Sequence, residues 1–155
     1  MIEQLLEAWR TNHRINLFLI DRISDEGMRA TLSKRGGRDV VRQFAHMHNI
    51  RVGKLELWAK DLAAGLVKFD TYDRPEKASL KAALEGSSGA VERFVEECAT
   101  GVRTKQGWKK GVVVSVSYLI AHESHHRGNI LLTLKQSGHK VDTHTQYAIW
   151  DWDRM

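Results

Sequence analysis

The stretch VVVSVSYLIAHESHHRGNILLTLKQ, residues 112–136, decides the fold of this chain. It contains no proline, and Gly138 just beyond it suits the left-handed conformation that ends many helices. We therefore predict a long helix here, apolar at both ends, with the cluster His122-Glu123-Ser124-His125-His126 in its middle. Which of the other segments form helices then determines how the apolar surface of this helix is buried.

Three more long helices are expected, at about residues 2–24, 39–64 and 77–99. Asp39 is a suitable N-cap for the second, and Gly65 a suitable stop. The third is interrupted by Gly-Ser-Ser-Gly at 86–89, where we expect a kink or loose packing. Four helices of matched length, each with one apolar stripe, bury those stripes most simply as a four-helix bundle. The sequence predicts an all-α fold with one domain over residues 1–155.

The C-terminal tail, HKVDTHTQYAIWDWDRM, is rich in aromatic residues. Free tails rarely keep so much apolar surface, so we expect it to dock on the bundle or on a second subunit.

Composition, charge and cysteine count argue against several classes of protein. The net charge is +5, but the basic residues are scattered and no nucleic-acid motif accompanies them, which favours a solvated surface over nucleic-acid binding. Cys98 is the only cysteine, so there is no internal disulfide and no thiolate cluster; we expect it half-buried in a helix. No apolar run approaches the ~20 residues that cross a bilayer, and the amino terminus lacks the layout of a secretion signal. These observations predict a cytoplasmic protein.

His122 and His126 are four residues apart and so project from the same face of the predicted helix, where two imidazoles can reach one metal ion. The spacing fits a hydrogen-bonded pair in the core equally well. The match to the H-E-x-x-H pattern of zinc peptidases fails further along. The metzincin version needs a histidine at position 132, which is Leu132, and the glutamate version needs a Glu after Glu123, where none occurs.

A third ligand is expected from RQFAHMHNIR on the second helix. His46 and His48 point about 200° apart around a helix, so only one of them can join the pair. The apolar periodicity of this helix places His48 in the core and favours it weakly.

RDVVRQFAHMHNIR on the second helix and HESHHRGNILLTLKQSGH on the last resemble the DinB/YfiT-like metalloenzyme family. The resemblance extends over nearly the whole chain, and the H-x-x-x-H-R-G-N-I element is fairly specific at this position. It implies a bacterial protein with the DinB-type four-helix bundle and metal ligands at His46, His122 and His126. On this point the resemblance and the periodicity disagree, and we follow the resemblance.

The family also implies an activity class. Its characterised members are thiol transferases and isomerases that use low-molecular-weight thiols such as bacillithiol or mycothiol, and they are often homodimers. We expect a divalent metal ion (Zn, Ni, Fe, Mn or Co), an external thiol and an electrophilic small molecule as partners. A non-catalytic, stress-associated metal-binding bundle is the alternative, and a basic nucleic-acid-associated helical protein is a third.

The neighbours of the histidines have simpler expected roles. His125 faces about 100° away from His126, so we expect it at the surface or in contact with a ligand side chain instead of bound to the metal itself. Glu123 is expected to orient a ligand imidazole, to act as an acid/base group or, more commonly, to form a helix-surface salt bridge with Arg127. Asn49 and Asn129 lie one helical turn from the predicted ligands and are candidates for contacting a water or a substrate.

Overall fold

The computed structural model describes residues 1–155 and contains helices but no strands, which confirms the predicted all-α class. None of the helices is both long and apolar enough to span a membrane. The helices, in chain order, are α1 (Ile2–Arg22), α2 (Asp25–Met28), α3 (Val40–Trp58), α4 (Lys60–Ala63), α5 (Lys77–Ala99), α6 (Val112–Gln136) and α7 (Thr143–Ala148).

The four long helices form a bundle in which each one packs against two others. α1 and α3 both pack against α5 and α6, so the order around the bundle is α1, α5, α3, α6. Ion pairs join Arg10 to Glu92 and Asp21 to Lys81 across α1 and α5, which shows that these two helices run antiparallel. α3 lies alongside α6, and this pairing determines which side chains of the two helices can meet.

The apolar core is divided into two clusters, one toward each end of the bundle. One contains Phe44 and Leu84, and the other contains Trp9 and Phe94. Between them, every long helix contributes buried polar residues instead of apolar ones. We call this set the polar layer; its members are Asn12, Asn16, His48, Arg51, Ser87, Ser88, Glu123 and Arg127.

The second predicted helix ends earlier than expected. Asp39 caps α3 as predicted, because its carboxylate accepts a hydrogen bond from the Arg42 backbone N–H. The helix stops at Trp58, where Ala59 leaves the helical conformation (φ −154°, ψ 68°). The short α4 follows this break, and both Trp58 and Ala63 pack into the Trp9 cluster.

The kink expected at residues 86–89 is absent, since α5 is continuous from Lys77 to Ala99. Ser87 and Ser88 are buried, and the Ser88 carbonyl accepts a hydrogen bond from Trp9 Nε1 (3.3 Å). The small residues therefore allow close packing of α5 instead of breaking it.

The aromatic tail docks on the bundle only in part. Val141 and Ile149 are buried in the Phe44 cluster, whereas Tyr147 and Trp150 are 74% and 76% exposed. Cys98 is buried in the Trp9 cluster rather than half-buried as expected.

Candidate metal centre

Three imidazoles converge between α3 and α6. His46 lies on α3, and His122 and His126 lie one turn apart on α6. One nitrogen from each ring lies within 4.8 Å of the other two. The ring centroids are 4.7–5.3 Å apart. The structure therefore places all three residues implied by the family resemblance where they could hold one metal ion.

Hydrogen bonding leaves nitrogen lone pairs free at this cluster. His126 Nδ1 lies 3.3 Å from Gln43 Oε1. An amide oxygen can only accept, so this contact places the proton on Nδ1 and leaves the Nε2 lone pair available. His122 Nδ1 is buried without any hydrogen-bond partner. A buried polar atom of this kind is costly unless it has a partner, and a metal ion bound at this nitrogen would account for it.

The electrostatics of the cluster also fit a metal ion. Burial, followed by the charge of Arg38, lowers the pKa of His46 to about 4. Burial and the neighbouring His122 lower the pKa of His126 to about 4. Burial also lowers the pKa of His122. The three rings are therefore neutral at pH 7, and neutral imidazole is the form that ligates metals.

His48 lies in the core, as its periodicity predicts, but it is not part of the cluster. Its Nδ1 lies 3.1 Å from Ser87 Oγ and its Nε2 lies 3.0 Å from the Val67 carbonyl. Both nitrogens are thus occupied within the protein, and the ring is 1% exposed. The periodicity identified a buried histidine correctly, but the inference that burial makes it the third member of the cluster is wrong.

Comparison with known families decides the assignment of the chain. The family model described as the DinB family matches residues 1–152. The chain belongs to the DinB family. No curated protein matches it. The family match confirms the resemblance drawn from the two histidine-containing helices.

Glu123 of this DinB chain is not on the surface, and the expected salt bridge with Arg127 is wrong. Its side chain is 1% exposed and pairs with Arg51, with Nε to Oε1 at 2.6 Å and Nη2 to Oε2 at 2.9 Å. Asn12 and Asn16 each donate a hydrogen bond to Oε2 at 2.7 Å. Arg127 donates to the amide oxygens of the same two asparagines instead. Burial is the largest single influence and would raise the pKa of Glu123. The charge and hydrogen bond of Arg51, the charge of Arg127 and the hydrogen bond from Asn12 together outweigh it, so the pKa is lowered.

Sequence reasoning missed this network, although a signal for it existed. Asn12 and Asn16 are four residues apart within the otherwise apolar stripe of α1, the same spacing that drew attention to His122 and His126. Two amides on one buried face need polar partners, and the partners had to come from other helices.

Cationic and aromatic side chains border the histidine cluster of this DinB protein. Arg38 lines the same small cavity as His46. Tyr118 stacks on His122 with ring centroids 5.9 Å apart, and Trp108 packs on Tyr118 at 4.5 Å. The Lys54 ammonium lies about 5 Å from both of these aromatic rings (5.2 and 5.1 Å). The approach to the cluster therefore combines positive charge with an aromatic wall.

The remaining polar neighbours have structural contacts. Asn49 exchanges two hydrogen bonds with the backbone of Phe69, so it holds the loop after α4 and is not free to contact a ligand. Asn129 contacts His125, and both are exposed.

His13 provides a pH-dependence prediction that does not depend on metal. Burial and the nearby guanidinium of Arg51 lower its pKa to about 4, whereas the pKa of an unfolded histidine is about 6.5. The unfolded chain therefore binds this proton more readily than the folded chain does. We expect the contribution of neutral His13 to stability to be complete above about pH 6.5 and to be lost as the pH falls toward 4.

The measurement is urea unfolding of metal-free protein at pH 7.0, 5.5 and 4.5, for the parent and for His13→Gln. The charges of Glu123 and Arg14 also influence the pKa of His13, and both residues are retained in the variant. The parent should lose more stability than His13→Gln over this range, and equal losses would contradict the lowered pKa.

Proposed function

We propose that this DinB protein is a divalent-metal-dependent enzyme of the low-molecular-weight-thiol S-transferase type, with His46, His122 and His126 as its metal ligands. The observation that carries the proposal is the convergence of three neutral imidazoles with no cysteine, aspartate or glutamate among them. Three protein ligands leave at least one coordination position open, which is typical of catalytic metal sites.

A divalent ion held there would act as a Lewis acid and lower the pKa of a thiol that reaches it. The thiol must come from outside, because Cys98 is buried on α5, which provides none of the three histidines, and burial raises its pKa. Arg38 and Lys54 would attract an anionic thiol, and Trp108 and Tyr118 would shield it from water. In the transfer, the thiol proton goes to solvent, an S–C bond forms, and the leaving group departs with the electrons of its bond to carbon.

The test is transfer of a thiol to an electrophile by protein loaded with Zn, Ni, Fe, Mn or Co. Bacillithiol, mycothiol and glutathione would each be paired with 1-chloro-2,4-dinitrobenzene, which releases chloride and gives a coloured thioether. We expect a metal-dependent rate with at least one thiol, and loss of that rate in His126→Ala. A rate that is the same with and without metal for all three thiols would contradict the proposal.

A non-catalytic metal-binding role is the second candidate, and one observation favours it. The cavity beside His46 has a volume of about 70 Å³. Its lining includes His46 but neither His122 nor His126, and its space is that of about two water molecules, so this side of His46 does not accommodate a thiol and an electrophile together. Addition of thiol to the cobalt-loaded protein separates the two roles, since a new sulfur-to-cobalt absorption band would show that an external thiol reaches the ion.

We further propose that the protein is a cytoplasmic homodimer. The exposed Tyr147 and Trp150 support this, because contiguous apolar side chains on a surface often mark an interface. Sedimentation equilibrium of the parent and of a Trp150→Ser variant tests the dimer.

A further inference from the structure

We propose that Glu123 and Arg51 are positioning residues of the metal centre, because they hold α6 in the rotation that brings His122 and His126 opposite His46. The inference rests on the proposed metal site but extends it to residues that touch no ligand nitrogen.

The same two helices carry both the histidines and the ion pair. α3 supplies His46 and Arg51, and α6 supplies His122, His126 and Glu123. The pair is bidentate, with two nitrogens of one guanidinium contacting two oxygens of one carboxylate. A bidentate pair restricts relative orientation as well as distance, because both groups are planar. α3 and α6 are therefore fixed to each other at the level of the histidines.

α1 completes the restraint from a third direction. Asn12 and Asn16 each donate to Glu123 and each accept from Arg127, which is one turn further along α6. Arg127 also donates to Ser124 Oγ at 2.8 Å. Two successive turns of α6 are thus held by α1, on a face adjacent to the one that carries the histidines.

Helix geometry shows how far a small rotation of α6 would move the histidines. Side-chain atoms lie roughly 5–6 Å from a helix axis, so a rotation of α6 by about 10° would displace an imidazole nitrogen by about 1 Å. Metal–ligand distances are held to within about 0.2 Å, which leaves no room for such a displacement.

Stability alone does not explain why these charges are buried here. Arg51 and Glu123 are 0% and 1% exposed, and buried ion pairs of this kind contribute little net stability compared with apolar residues of the same volume. Apolar clusters already fill the bundle on both sides of the polar layer. The charged pair lies where the histidines need a defined helix orientation, and not elsewhere in the core.

The negative charge of Glu123 also affects the metal centre. Arg51 and Arg127 are both buried cations, and Glu123 is the carboxylate that offsets them. Without it, two uncompensated positive charges would lie beneath a site for a divalent cation.

The test compares cobalt binding by the parent and by Glu123→Gln, which keeps the shape of the side chain and removes its charge. Affinity is measured by competition with a chelator, and ligand geometry by the d–d absorption of bound Co²⁺, at a temperature where circular dichroism shows each protein to be folded. We expect at least a tenfold loss of affinity and an altered d–d spectrum. Unchanged affinity and spectrum would overturn the inference.

Leu134→Ala is the matched control, because it weakens the packing of the same helix in the Phe44 cluster without touching the polar layer. A merely structural role for Glu123 predicts that both variants bind cobalt as the parent does once they are folded, whereas we expect Leu134→Ala alone to do so. If Glu123→Gln does not fold, Asn12→Ala replaces it, with an expected loss of at least threefold, and parent-like binding by that variant would equally overturn the inference. Failure of the parent itself to bind cobalt would instead refute the proposed metal site.

Discussion

His46→Ala is expected to leave the protein unable to retain a divalent metal ion through desalting. The affinity should fall by more than about 100-fold, since loss of a residue that merely supports a metal ligand already costs about 10–100-fold. Metal content per chain, measured by mass spectrometry after loading with Zn, Ni or Mn, checks this result.

His48→Ala is the control for this experiment, as it removes an imidazole two residues away on the same helix. Both of its ring nitrogens are already bonded to the protein, so metal should be retained. The variant should nevertheless be less stable, because Ser87 and the Val67 carbonyl lose a buried partner. Metal loss in His48→Ala, or full retention in a folded His46→Ala, would contradict the assignment of the ligands.

Arg51→Met is expected to produce the largest loss of stability among single substitutions in the polar layer, about 3–5 kcal/mol in the free energy of unfolding. The change removes the cation from a buried pair and leaves the Glu123 carboxylate without its bidentate partner. It also removes a hydrogen bond to the Leu84 carbonyl and the guanidinium packed on the Trp9 ring. Urea unfolding of the metal-free protein at pH 7 provides the measurement.

Arg10→Met provides the comparison, because Arg10 also joins two helices through a carboxylate. Its pair with Glu92 is partly exposed, and pairs of this kind contribute roughly 0–1 kcal/mol. Similar losses of unfolding free energy in Arg51→Met and Arg10→Met would show that burial does not make the Arg51 pair costlier to break than an exposed pair.

The sequence was sufficient to predict the four long helices, because each carries an apolar stripe with clear end signals. Asp39 and Gly138 mark ends that the structure retains, with Asp39 as the cap of α3 and Gly138 in a left-handed conformation (φ 82°). The break at Ala59 could not be predicted in this way, since it depends on how Trp58 and Ala63 pack against other helices.

The side chains of the candidate metal centre could not be predicted from single-helix patterns for the same reason. Periodicity identifies which residues of a helix face inward, and His48 does face inward. Whether an inward histidine meets Ser87 or two other histidines depends on which helix lies opposite, and a single helix pattern holds no information about that. Only the family resemblance indicated His46, because a family motif reflects which helices lie next to each other in the complete fold. The burial of Glu123 was missed for the same reason, because its partner lies 72 residues away in the chain.

The polar layer has a consequence for how the chain selects its helix alignment while folding. Apolar stripes alone tolerate a slide of one helix along another by one turn, about 5.4 Å, since leucine meets leucine again after such a shift. Here the same slide of α6 would bring one of Glu123 and Arg127 to the level that the other now occupies and move the other into an apolar cluster. Arg51, Asn12 and Asn16 would then lose their present partners. A misaligned bundle would therefore bury several polar groups without hydrogen-bond partners at once. Only one alignment of the four helices pairs the charged and amide groups of the polar layer.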